Sequence, residues 1–240
     1  MSLDPRSDFD RDRVPPKHDA SWTLGFSREG SFAEPDAKAS RHQEFETRAM
    51  VIDEGDEARS IYLIIEGAVM LSKLLPDGRR QIIELLGPGD VFGITSTAVH
   101  DVCAETLSPV RVVVYDRRKV DETPALQQLV SERMRAQICH LHDHAVLLGR
   151  KSALERVATF LMRLVPGRGG IDCIGPGKST AAHVRVPLTR QEIADYLGLT
   201  LETVSRAFSQ LKRDGFLSYG RNDEVTITNV CRLCHVTGAH

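Results

Sequence analysis

The chain has 240 residues, 41% hydrophobic and 27% charged, with a formal net charge of −2. That is room for two ordinary globular domains, and the composition excludes a collagen, a coiled-coil rod and a disulfide scaffold. No apolar run approaches the ~20 residues that cross a bilayer, and residues 1–13 are charged without the apolar core of an export signal, so a cytoplasmic protein with no membrane partner is expected.

The five cysteines, Cys103, Cys139, Cys173, Cys231 and Cys234, are an odd number in a long chain and are read as thiols. The small net charge hides an asymmetry. Residues 1–120 hold 16 Lys and Arg against 21 Asp and Glu, whereas residues 121–240 hold 15 against 12. A phosphate-binding surface therefore belongs in the second half.

In chain order, residues 1–40 mix charges, proline, glycine and serine without apolar periodicity and read as a loosely ordered leader. From Ala49 the texture changes to short β-rich runs at roughly ten-residue spacing, cut by Gly55-Asp56, Asp77-Gly78 and Gly87-Pro-Gly89. This predicts an antiparallel roll or sandwich over residues 41–122. Residues 124–148 contain no further proline or glycine, and Met134, Ile138, Leu141, Ala145 and Leu148 recur at spacings of 4, 3, 4 and 3. That pattern predicts a dimerisation helix over 123–149 with a coiled-coil seam, the alternative being a helix packed on its own domain. Gly149 is expected to break it before a second helix over 152–164. The glycine-rich residues 166–183 read as a loop.

Residues 189–215 carry the most information. Thr189-Arg-Gln-Glu192 matches a capping box that starts a short helix burying Ile193, Ala194 and Leu197 and stopping at Gly198. Thr200 can cap a second helix with Val204, Phe208 and Leu211 inward. Two short helices joined by a glycine turn make a helix-turn-helix. On the second helix Glu202, Ser205 and Arg206 share one face, and their side chains suit base edges: Arg for guanine N7 and O6, Glu for cytosine N4, Ser for either. The competing reading of Glu202 and Arg206 is an ordinary i, i+4 ion pair.

The stretch 216–219, a Gly-Arg-Asn-Asp turn and residues 225–228 then form a hairpin, which makes the motif winged. Thr189, Arg190, Thr200, Thr203, Lys212, Arg213 and Arg221 are candidate phosphate contacts that position without specifying. The expected architecture is thus α+β, with the winged helix-turn-helix occupying residues 150–240.

Other clusters carry weaker signals. Cys231-Arg-Leu-Cys234-His235 matches the c-type haem attachment pattern and could begin a zinc site. Attachment requires export and no second Cys/His pair stands at zinc spacing, so a terminal segment that packs or frays is expected. His140, His142 and His144 beside Cys139 make an incomplete metal site and are read as solvated residues of the dimer helix. Cys103 and Cys173 are candidate oxidation targets, with an inert thiol the commoner case.

With these residues assembled, the chain resembles the CRP/FNR family of transcription regulators over residues 41–228. Gly55-Asp56, Glu66-Gly67, Asp77-Gly78-Arg79 and Gly87-Pro-Gly-Asp-Val-Phe-Gly93 look like its cyclic-nucleotide-binding-like β-roll, and residues 188–215 like its helix-turn-helix. The resemblance implies a homodimer along the long helix, recognition helices in successive major grooves of double-stranded DNA, and recruitment of RNA polymerase. Glu202-Thr-Val-Ser205-Arg206 matches the FNR-type motif and implies a TTGAT-like half-site. Leu201, with residues 193–206, looks most like the FixK subgroup, which controls oxygen-limited respiration and nitrogen-related genes; Leu201 joins the expected base readers on this ground.

The family's cyclic-nucleotide cassette is not matched. Phe92-Gly93 is followed by Ile94, Ala104 is preceded by Val102-Cys103, and no Lys or Arg lies between Arg80 and Arg111 to neutralise a phosphate. Residues 1–102 hold no cysteine for an FNR-type iron-sulfur cluster. No cofactor is therefore expected, neither cAMP nor an iron-sulfur cluster nor a metal, while haem is left open. The alternatives are a haem- or nitric-oxide-responsive relative, and a regulatory or interaction module without specific DNA binding. No catalytic constellation is present, so an enzyme is not expected.

Overall fold

The computed structural model describes residues 40–165, 181–220 and 224–238. Of the leader expected over 1–40, Ser40 already belongs to a strand, and residues 1–39, most of the glycine-rich loop with Cys173, and Arg221 lie outside the described residues.

Among the described residues eight strands come first: β1 Ser40–Phe45, β2 Met50–Ile52, β3 Ser60–Glu66, β4 Val69–Leu74, β5 Arg80–Leu86, β6 Val91–Phe92, β7 Cys103–Thr106 and β8 Val110–Asp116. They pair antiparallel in two four-stranded sheets, ordered β1-β8-β3-β6 and β2-β7-β4-β5. Ile64, Val112 and Val114 of the first sheet meet Ile52, Val69, Leu86 and Ala104 of the second, which is why these strands need two-residue periodicity. The turn between β3 and β4 requires Gly67: its φ is +91°, and a Cβ there would lie 2.2 Å from the Pro109 carbonyl oxygen. The sequence reading overlooked β1, whose Ser-Arg-His-Gln-Glu-Phe run is polar, because an edge strand paired with β8 needs no apolar alternation.

After α1 Arg117–Glu122, capped by Asp116, Pro124 occupies the first position of α2 Pro124–Arg150. Gly149 does not break this helix; it lies in the last turn. The helix stops one residue later because Lys151 turns extended and Ser152 caps α3 Ala153–Arg163 with a complete capping box to Glu155. Leu126 and Val130 of α2 pack with Ile61, Leu63, Val91, Val113 and Tyr115 of the roll. Gln137 fastens the same face: its Nε2 donates to the Val91 carbonyl at 3.0 Å and its Oε1 accepts from the Val91 amide at 3.2 Å.

The C-terminal part comprises β9 Ala182–Arg185, α4 Arg190–Leu197, α5 Leu201–Arg213, β10 Leu217–Tyr219, β11 Glu224–Ile227 and α6 Val230–Val236. The loop expected up to residue 183 ends earlier, since Ala182 and His183 already pair with Ile227 and Thr226 and add a third strand in the order β10-β11-β9. The Cys231-to-His235 segment packs as α6, capped by Asn229, with Val230 and Leu233 buried. One apolar core joins Phe160, Leu161, Ile193, Leu197, Val204, Phe208, Leu211, Ile227 and Leu233, and takes in Met70, Ile82 and Leu107 from the roll. No helix among the described residues is long and apolar enough to cross a membrane.

Candidate nucleic-acid interface

The helix-turn-helix is assembled from local chemistry. Thr189 Oγ1 accepts from the Glu192 amide at 3.2 Å, and Glu192 Oε2 accepts from the Thr189 amide at 2.7 Å, closing both sides of the capping box of α4. Gly198 ends α4 in the left-handed conformation, φ +61°, which a side-chain-bearing residue rarely adopts. Thr200 then caps α5 by accepting from the Thr203 amide at 3.2 Å. Val204, Phe208 and Leu211 turn inward as the spacing requires, and Ala207 completes the stripe.

Burying that stripe leaves Glu202, Ser205 and Arg206 exposed together on the other side of α5, with Leu201 exposed at its first position. The i, i+4 ion pair does not form: no Glu202–Arg206 contact falls within 4 Å. The Glu202 carboxyl is held below its ordinary range first by its own backbone amide and by Thr200, with Arg206 a weaker, longer-range attraction. Both side chains thus project from the first two turns, where a recognition helix meets base edges. Ser209, which the sequence reading missed, extends the same face; its hydroxyl donates to the Ser205 carbonyl at 2.8 Å. Its position one turn beyond Ser205 was the available signal.

The candidate phosphate residues separate into two groups. Thr189, Thr200 and Thr203 serve the caps: Thr189 Oγ1 donates to Glu192 Oε2 at 3.0 Å, and the hydroxyls of Thr200 and Thr203 lie 3.0 Å apart. Arg190 and Lys212 are gathered on the wing. The Arg190 guanidinium sits 3.3 Å from the centroid of Phe208 and reaches the Tyr219 hydroxyl at 3.5 Å, and the Lys212 ammonium lies 5.1 Å from the Tyr219 ring. Arg213 is exposed at the end of α5. Arg221, at the wing tip, is outside the described residues.

The opposite side of α4 faces the roll. Arg48 lies in a reverse turn with φ +66°, and its guanidinium clasps the Glu192 carboxylate at 2.5 and 3.2 Å. Burial pushes the Glu192 carboxyl up, but the bonds from Arg48 and Thr189 outweigh it and hold it below its ordinary range. Arg80 pairs with Asp195 at 2.9 Å. The capping carboxylate of the DNA-binding motif is therefore also its link to the roll. No local signal announces a contact spanning 144 positions. A cleft of about 1010 Å³ separates the β4–β5 hairpin, with Leu75, Arg79 and Gln81, from Leu199, Thr200 and Glu202 at the start of α5.

Along α2, Met134 is 36% and Ile138 44% exposed, Ala145 is exposed and Leu141 is half-buried, about a quarter turn from the residues that face the roll. Leu148 differs from the other seam residues in packing against the core around α3 and α4. The expectation of three solvated histidines is corrected at one position. His142 is exposed and His140 half-buried, but His144 is 6% exposed and stacks on Tyr196 of α4 with ring centroids 4.3 Å apart. Burial first, and the Arg163 charge second, press its imidazole down to about 4, so it is neutral in the folded chain. Tyr196 covers it, and that contact depends on tertiary structure. Among the described residues no group of three or more His, Cys, Asp or Glu could hold a metal ion.

The roll carries no acid and base at the positions of the family's cyclic-nucleotide cassette. Where the family's cassette would place its acid and base, β6 is followed by Gly93 and Ile94, and the segment before Ala104 carries Val102 and Cys103. Between the sheets lies an apolar cluster in which Phe92 stacks on Tyr62 at 4.8 Å. A buried phosphate with no guanidinium opposite it would stay uncompensated.

Comparison with known proteins agrees with this geometry. A cyclic nucleotide-binding domain matches residues 42–124, and a Crp-like helix-turn-helix domain matches residues 155–236. The chain is 39% identical over 186 residues to the nitrogen fixation regulation protein FixK of Bradyrhizobium diazoefficiens, covering 74% of each chain. It is 32% identical to the transcriptional activator protein FnrL of Cereibacter sphaeroides, covering 82% of this chain and 80% of that one. Among solved structures, FixK2 of Bradyrhizobium japonicum superposes with a TM-score of 0.69 at 34% identity, over 82% of this chain and 96% of that one. With a β-roll, a long helix and a winged helix-turn-helix in that order, the chain belongs to the CRP/FNR family of transcription regulators, in its FixK/FNR-like branch.

Proposed function

We propose that the chain is a cytoplasmic, homodimeric transcription activator that reads a TTGAT-type palindrome through α5 and recruits RNA polymerase. The observation that carries this reading is the exposed set Leu201, Glu202, Ser205 and Arg206 on a helix whose other side is buried and whose start is capped. Arg206 bridges N7 and O6 of the half-site guanine, Glu202 accepts from cytosine N4, Ser205 takes either neighbour, and Leu201 packs on a thymine methyl. Arg190, Lys212 and Arg221 fix the register on the backbone, while Thr189, Thr200 and Thr203 set the helix ends.

The dimer forms along Met134, Ile138, Leu141 and Ala145, whose partial exposure on one side of α2 leaves apolar area for a second copy. Leu148 ends that seam against the DNA-binding part. The functional division is a roll over 41–122, a dimer helix over 123–149 and a DNA-binding domain over 150–240. The roll takes neither cyclic nucleotide nor an iron-sulfur cluster. Relatives named for nitrogen fixation regulation support a role in oxygen-limited or nitrogen-related metabolism. The test pairs sedimentation of the purified chain with a gel shift on TTGAT and ATCAA half-sites separated by four bases. A dimer that prefers this duplex to a scrambled one is expected; a monomer, or equal affinity for both, contradicts the reading.

A further inference from the structure

Cys231 and Cys234 stand outside everything proposed for DNA binding. Both are half-buried thiols on α6, three residues apart and therefore on one side of the helix within a single turn. The helix is anchored independently of them: Val230 and Leu233 are buried, Asn229 Oδ1 accepts from the Arg232 amide at 2.8 Å, and the Leu233 amide donates to the Asn229 carbonyl at 3.0 Å.

An i, i+3 pair has Cβ atoms about 5 to 6 Å apart, whereas a disulfide needs about 3.5 to 4.5 Å. The first turn of α6 must therefore tighten. It is free to do so at one end, because the Cys231 amide is among the first four of the helix and has no intrahelical acceptor to lose. The second thiol interacts with a cation. Lys151, at the junction of α2 and α3, holds its ammonium by donating to Thr159 Oγ1 at 2.9 Å and interacts electrostatically with Cys234. The thiolate is the reactive form of either cysteine.

We propose that Cys231 and Cys234 are a redox-active dithiol that exchanges with low-molecular-weight disulfides of the glutathione class. The Cys234 thiolate attacks one sulfur of glutathione disulfide; the S–S bond breaks, a mixed disulfide forms on Cys234, and one glutathione thiolate leaves. Cys231 loses its proton and attacks the Cys234 sulfur, expelling the second glutathione thiolate. The two protein thiol protons end on the two glutathione molecules. Two protein thiols are oxidised to one disulfide, and one glutathione disulfide is reduced to two thiols. Because the bridge tightens α6, it is strained and readily reduced, so it forms only when oxidised glutathione predominates and reverts when the balance returns.

The test uses the full chain carrying Cys103→Ser, Cys139→Ser and Cys173→Ser, equilibrated at a series of oxidised-to-reduced glutathione ratios, alkylated and measured by intact and peptide mass. The expected result is joint loss of both thiols to one Cys231–Cys234 bond, reversed by excess reduced glutathione. A further Cys231→Ser change should arrest the reaction at a Cys234–glutathione mixed disulfide. Stable glutathione adducts on the chain that retains both cysteines would overturn the proposal. So would two thiols still alkylatable at about a hundredfold excess of oxidised glutathione, a ratio worth ~60 mV in a two-electron couple. If the triple variant does not fold, peptide mapping of the oxidised wild-type chain decides the same question, and pairing of Cys231 or Cys234 with any other cysteine contradicts the proposal.

Discussion

The roll and the helix-turn-helix solve the same burial problem and differ in where they keep their polar chemistry. In the roll, two sheets close on Ile64, Val69, Leu86, Phe92 and Val112, an apolar cluster between them. In the C-terminal part, α5 buries Val204, Ala207, Phe208 and Leu211 and sets Glu202, Ser205 and Arg206 outside, unpaired with one another. A helix can hold its place by one stripe and spend the rest of its circumference on recognition. A closed roll has only its interior and rims to spend on recognition.

The largest effect should come from breaking the stripe that holds α5. Phe208→Ala removes a fully buried ring that also carries Arg190, and a loss of about 3 to 5 kcal/mol in urea unfolding is expected. Next is the helix that carries both regions. Ile138→Asp buries a charge at the proposed seam, and gel filtration should show a monomer whose affinity for the palindrome has fallen about 100-fold or more, since one half-site no longer tethers the other.

A smaller, pH-dependent effect belongs to the roll. Burial first, then Asp90, pushes the Glu84 carboxyl up to about 7 from an ordinary 4.5. The folded chain therefore keeps a proton that the unfolded chain releases, and stability falls as pH rises from about 4.5 to 7. Glu84→Gln should abolish that fall. Its Tm should match the wild type at pH 4.5 and exceed it at pH 8, by the equivalent of about 1 to 3 kcal/mol; a lower Tm at pH 8 would contradict the assignment. The smallest effect is expected at the wing, where Lys212→Ala should weaken binding about equally on specific and scrambled duplexes and reduce the salt slope by about 1.

The difference between the two regions also governs how much of each was legible in the sequence. The helix-turn-helix is written locally: Thr189 with Glu192, Gly198, Thr200 and the Val204-Phe208-Leu211 spacing each act within one turn. The roll's inner strands were legible from alternation and from turn residues such as Gly67. Polar β1 was not, because an edge strand borrows its order from β8. β9 was hidden beside glycines because four residues of pairing with β11 outweigh composition. The contacts between the regions left no trace at all. Arg48 on Glu192 and His144 under Tyr196 join residues far apart in the chain, and their burial is decided only when α4 docks on β5 and α2.

The central claim is that Arg206 reads a guanine from the outer face of α5, and it is tested most directly by a two-by-two affinity measurement. Wild type and Arg206→Ala are each titrated with the TTGAT-type duplex and with a duplex in which the half-site G·C pair is replaced. Wild type should prefer the original by about 1 to 3 kcal/mol, and Arg206→Ala should lose that preference while keeping its affinity for the replaced duplex. An Arg206→Ala chain that still discriminates between the two duplexes would contradict the account.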